Sequence, residues 1–96
     1  MRYYSITDEG YHDPNDDWGD PTYWVEVNDA GDAERQLAVY PNGNVLSYDR
    51  THEQDEFGAL GVMVVDGDDD WWVPYQIAKD DFEQRWAAHR PINRRP

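Results

Sequence analysis

The stretch Arg35–Arg50, RQLAVYPNGNVLSYDR, constrains this chain more than any other, because it reads as a β-hairpin. Two runs rich in aliphatic and aromatic residues, Arg35–Tyr40 and Asn44–Arg50, flank Pro41, Asn42 and Gly43. Proline presets φ at the first turn position, Asn accepts the second, and Gly takes the left-handed position of a bulged three-residue turn. A two-residue turn at Asn42-Gly43 is the alternative, and it would place Pro41, which has no N–H, inside the ladder. The two turns differ by one residue in register and change which side chains oppose each other. On sequence alone both stay open.

Other segments supply partners for this hairpin. Thr22–Asn28 (TYWVEVN) alternates as a strand does, with Tyr23, Val25 and Val27 on one face and Trp24, Glu26 and Asn28 on the other. Arg2–Ile6 has strand character, Ala59–Val65 is the most apolar run and is expected as a buried strand, and Trp71–Ile77 is expected as an edge or irregular strand because it contains Pro74. Residues 7–21, Asn28–Glu34, Thr51–Gly58 and Asp66–Asp70 are rich in Gly, Asp, Asn and other polar residues and read as loops and turns. A helix is expected from about Lys79 to His89. Phe82 and Trp86 stand at i and i+4, acids crowd the first turn, Arg85 and His89 come late, and Pro91 closes it.

Ninety-six residues make one core, not two. The expectation is an α+β fold: an antiparallel sheet of about four to six strands with one C-terminal helix packed on a face. Residues 1–90 form a single acidic domain, and 91–96 (PINRRP) a flexible basic tail. Five Trp and seven Tyr argue against a disordered chain.

Charge bounds the function. The formal net charge is −13, and since Arg90, Arg94 and Arg95 gather at the end, the body of the chain is more acidic still. Such a field disfavours direct contact with nucleic acid or anionic lipid and attracts basic proteins. The same composition, Asp over Glu and Arg over Lys, also fits salt-adapted or GC-rich organisms, in which acidity serves solubility. No run approaches the ~20 apolar residues that cross a membrane, and no signal-peptide pattern follows Met1. There is no Cys, which excludes disulfides and thiolate metal sites. The plain reading is a cytoplasmic protein.

No arrangement marks an enzyme. Ser5 and Ser47 lack a nucleophile-elbow context, His12 and His52 merely neighbour acids, and no Gly-rich phosphate loop follows a strand. Asp13, Asn15 and Asp17 imitate the first, third and fifth ligands of a calcium loop, yet Trp18 stands where the sharp turn needs Gly and Trp24 where a bidentate Glu belongs. The loop beginning at Asp66 fails likewise, with Ile77 at its twelfth position. No metal or cofactor is expected, and a weak, irregular divalent-ion site in either loop stays open as the alternative.

Tryptophans beside acid-rich loops suit a surface that steers a basic partner and then anchors it. The candidate partner-binding residues are therefore Asp13, Asp16, Asp17, Trp18 and Asp20 in the first loop, Glu53, Asp55 and Glu56 in the second, and Asp66, Asp68, Asp69, Asp70 and Trp71 in the third. Trp24 and Trp86 are expected in the core. Trp18 can equally fold back as a lid over the sheet.

Arg35–Asp49 (RQLAVYPNGNVLSYD) followed by Ile77–Trp86 (IAKDDFEQRW) resembles a group of small acidic bacterial domains, largely uncharacterised, some of which are similar to immunity proteins of toxin–immunity pairs. The likeness spans roughly Thr22–Ala88, and the loop at 7–21 has no counterpart in it. It implies an inhibitor of a toxin or another protein partner and carries over no catalytic residue; the acidic loops are expected to occlude a basic active-site cleft, most readily as an immunity protein does. A nucleic-acid mimic that inhibits a restriction or CRISPR nuclease is the competing expectation. Mimicry needs carboxylates spaced along an extended face, whereas a plug needs one compact patch with aromatic anchors. Oligomeric state is not legible.

Overall fold

A computed structural model describes residues 1–7, 18–61 and 70–93, with the backbone alone at 70–72. Four successive strands form an antiparallel meander: β1 (Arg2–Thr7), β2 (Thr22–Val27), β3 (Ala33–Val39) and β4 (Val45–Asp49). A small hairpin, β5 (Gln54–Asp55) with β6 (Gly58–Ala59), follows. A 3₁₀ segment at Asp70–Tyr75 leads into β7 (Gln76–Ile77), which pairs antiparallel with β1, and then into helix α1 (Lys79–Ala88). The sheet order is β4-β3-β2-β1-β7, an α+β fold with one C-terminal helix packed on a five-stranded antiparallel sheet.

The turn chemistry of the β3–β4 hairpin selects the three-residue form. Gly43, at φ 94°, donates its N–H to Tyr40 O at 3.0 Å, while Tyr40 N–H donates to Asn44 O at 2.9 Å. Pro41 stays outside the ladder, and Val39 opposes Val45.

Strand alternation then builds two apolar faces. On one, Tyr4, Val25, Val27, Ala38, Tyr40, Leu46 and Tyr48 form the main cluster with Ala33 and Leu60. Trp18, Tyr23, Phe57 and Tyr75 pack around it. The other face receives α1. Phe82 is wholly buried, its ring 5.3 Å from Tyr3 and stacked on Trp86 at 6.0 Å. Trp24 and Trp86, both expected in the core, are half-buried there. Arg85 lies over the Trp24 ring at 4.7 Å.

Three expectations change. Residues 71–75 are not extended: Pro74 fixes φ near a helical value and cannot feed a ladder, so the chain coils as 3₁₀ and joins the sheet only at Gln76–Ile77. Of the run at Ala59–Val65, Ala59 ends β6 and Leu60 is buried, while 62–65 lie outside the described residues. The frayed tail does not begin at Pro91. Ile92 N–H donates to Val45 O at 2.9 Å, and Asn93 is bonded to Ser47. Main-chain groups on the outer edge of β4 draw these residues in, as an exposed strand edge demands partners.

Candidate partner-binding surface

The candidate residues divide by location. Asp13, Asp16, Asp17, Asp66, Asp68 and Asp69 lie outside the described residues, and for Asp70 and Trp71 the backbone is described within the 3₁₀ segment. Trp18 follows the first loop and is half-buried, its ring edge-on to Tyr40 at 5.1 Å and tilted against Phe57 at 5.9 Å. It acts as a lid on the main cluster, with part of the indole left at the surface. Gly19 makes this seat possible: at φ 92° it sits so close to Pro41 that a Cβ would lie 2.8 Å from the proline Cγ.

Asp20, Glu53 and Glu56 are exposed, as a steering surface requires. Asp55, which the sequence groups with them, has a different position. Its Oδ1 accepts from Tyr48 Oη at 2.8 Å, Phe57 N–H at 2.9 Å and Gly58 N–H at 3.3 Å. Its Oδ2 accepts from Asn93 Nδ2 at 2.9 Å and lies 2.7 Å from His52 Nε2. Burial pushes the Asp55 carboxyl up, but the bonds from His52, Asn93, the Phe57 amide and Tyr48 outweigh it and hold the group well below the usual carboxylate range. Burial and the neighbouring Asp55 carboxylate push the Tyr48 phenol far above its ordinary value. The ring of His52 stacks on Tyr48 at 5.9 Å. Asp55 is thus the centre of a polar network that folds the β5–β6 turn against β4. His52 and Asp55 are paired as in a dyad, but both carboxylate oxygens of Asp55 are engaged in holding the chain.

Arg35 and Arg50 are engaged as well. Arg35 grips Glu26 with two prongs and also bonds Glu83 of α1. Its guanidinium lies 4.9 Å from the Phe82 ring centre and 5.1 Å from that of Trp86. The bond from Arg35 holds the buried Glu26 carboxyl below its ordinary value against the opposing effect of burial. Arg50 reaches Glu34 at 3.3 Å and Glu53 at 3.4 Å.

Sequence reasoning passed over an open cleft of about 420 Å³ beside Glu53, lined by Asp32, Arg50, Gln54, Leu60 and Gly61. It also passed over His52 and Asn93 as structural ligands of Asp55. The one signal for the first was Asp49, whose carboxylate accepts from the Thr51 N–H and hydroxyl and turns the chain there; Asn93 carried none. Among the described residues no group of His, Cys, Asp and Glu is placed to hold a metal ion, and no helix is long and apolar enough to cross a membrane.

Comparison of the chain with protein-family models, with curated proteins and with solved structures gave no match.

Proposed function

We infer that this protein is a binding module for a basic protein surface, acting as an inhibitor in the manner of an immunity protein and not as an enzyme. One observation supports this reading above the others: the charges are arranged unequally. Arg35 and Arg50 are held in ion pairs and Arg85 lies over an indole, while Asp20, Asp32, Glu53, Glu56, Asp80 and Asp81 are exposed. Arg50, Lys79, Arg85 and Arg90 are exposed as well, but the net charge of −13 and the pairing of Arg35 and Arg50 with the domain's own acids leave a negative exterior. Such a surface accelerates encounter with a basic cleft and repels phosphate backbones. The half-exposed Trp18 beside Asp20 offers an aromatic contact once encounter has occurred.

The reading is tested by immobilising the protein, capturing partners from its own host, and assaying the captured protein with and without the domain added back. The expected result is a basic protein that elutes with salt and whose activity the domain suppresses. Capture that is indifferent to salt, or a partner whose activity is unaffected, would remove the inhibitor reading. Recovery of a DNA-binding nuclease with its nucleic-acid groove blocked would point to mimicry instead.

A further inference from the structure

Alternate residues of an edge strand turn their N–H and C=O groups outward. In β4 these are Val45, Ser47 and Asp49, and each has a substitute partner. Val45 C=O accepts from Ile92 N–H at 2.9 Å. Ser47 N–H donates to Asn93 Oδ1 at 2.9 Å, and Ser47 C=O accepts from Asn93 Nδ2 at 2.8 Å. Asp49 and His52 exchange main-chain bonds at 3.3 and 3.1 Å. The Asn93 carboxamide therefore supplies the donor and the acceptor that one residue of an added strand would supply. Its Nδ2 also donates to Asp55 Oδ2 at 2.9 Å, which ties this latch to the β5–β6 turn.

The residues that cover the edge, 91–93, are uncharged, but basic residues flank them in sequence: Arg90 before, and Arg94 and Arg95 after. The surroundings are acidic. Asp49 belongs to the strand itself, and the exposed Glu53 and Glu56 flank Asp55. The sequence flanking the chain's own occupant thus has the chemistry that the surface as a whole would select from outside.

We propose that the outer edge of β4 is a strand-addition site for an extended basic segment of the partner protein, closed in the free domain by residues 91–93, which that segment displaces. This rests on the reading of the domain as a binder of basic proteins and specifies how it binds. Main-chain bonds to Val45 and Ser47 hold the incoming segment, and the nearby carboxylates select Lys and Arg side chains along it. A tethered strap competes at an effective concentration on the order of millimolar, so a free peptide opens the edge poorly. A partner already held by the acidic surface opens it readily.

The test uses the full chain and a synthetic peptide with the sequence of residues 90–96, RPINRRP, as the probe. Titration calorimetry gives affinity, and hydrogen exchange of the Ser47 amide reports on the edge. The Asn93→Ala chain is expected to bind the peptide at least about tenfold more tightly than the wild type, a difference of about 1.4 kcal/mol. A peptide carrying Ala in place of its Asn should lose that gain, and the Ser47 amide should exchange faster in the variant and slow again when peptide is added. Ile92→Pro removes the other strap donor at a residue that is 40% exposed, so it tests the same edge should Asn93→Ala fail to fold. Equal binding of both peptides to the variants, or no binding to either variant, would overturn the proposal. Those results would leave capture of a basic protein by the whole domain standing, since that is measured without the peptide.

Discussion

Arg35 and Glu26 face each other from adjacent strands as a two-pronged pair, with Nε 3.0 Å from Oε1 and Nη2 2.8 Å from Oε2. Glu26 is 6% exposed, and the same guanidinium reaches Glu83 on α1, so one side chain joins two strands and the helix. Arg35→Ala should cost about 3–5 kcal/mol, because it leaves a buried carboxylate without its partner. The double variant Arg35→Met, Glu26→Gln should recover much of that loss, since the neutral pair removes the stranded charge. Urea unfolding of the wild type and both variants measures this; a single-variant cost below about 1 kcal/mol, the range of surface pairs, would mean that solvent already screens the site.

The strap gives a second prediction. Deleting residues 92–96 removes the Ile92 bond and those of Asn93 to Ser47 and Asp55. At about 1 kcal/mol net per bond, less the entropy of ordering the segment, the loss should be about 2 kcal/mol. For a domain of this size that lowers the melting temperature by about 10 °C. An unchanged melting temperature would show that the strap adds no stability.

Asp55 sets an acid limit on stability. Its folded-state pKa is depressed, so its contribution is full above the unfolded value of about 4 and is lost progressively as pH falls below it. Tyr48 acts at the opposite end. Its raised folded pKa means that stability declines as pH rises above about 10, where the unfolded chain ionises and the folded phenol does not. Asp55→Asn should flatten the acid limb of a stability-against-pH curve and should cost about 1.5–3 kcal/mol at neutral pH, the range for hydrogen bonds to a charged group. An acid limb of unchanged slope in that variant would place the titration elsewhere.

Local chemistry made the hairpin legible, because Pro41-Asn42-Gly43 names its own turn, and period made β2 and α1 legible, through Val25 and Val27 on one face and Phe82 with Trp86 on the other. Register was not legible until Gly43 N–H could be seen to donate to Tyr40 O. Non-local bonds were the least visible. Nothing near Asn93 in sequence signals Ser47, 46 positions away. Asp55 looked like another surface acid because its network with Tyr48, His52 and Asn93 exists only after β4 and the C-terminal segment meet. Of the proposed binding residues, exposure at Asp20, Glu53 and Glu56 follows the loop reading, whereas Trp18 turns toward Tyr40 and Phe57.

That position makes Trp18 part of the packing, and the proposed function would add a partner contact. Trp18→Ala should cost about 2 kcal/mol, roughly half the value for a fully buried Trp, by uncovering Tyr40 and Phe57. If the outer part of the indole also contacts the partner, the same variant should raise the dissociation rate while leaving the association rate nearly unchanged. Thermal unfolding and binding kinetics separate the two effects, and a fully stable variant would remove Trp18 from the core.

The central claim, that the acidic exterior steers a basic protein onto this domain, is tested most directly by the association rate of the captured partner at low and at high salt. Exposed charges are screened within ~8 Å at physiological ionic strength, so the wild-type rate should fall by about tenfold or more between 50 and 300 mM salt. Glu53→Gln with Glu56→Gln should lower the rate at low salt, reduce that salt dependence, and leave the fold intact, since both side chains are exposed. An association rate that is the same at both salt concentrations and in both proteins would contradict the account and leave the acidity to solubility alone.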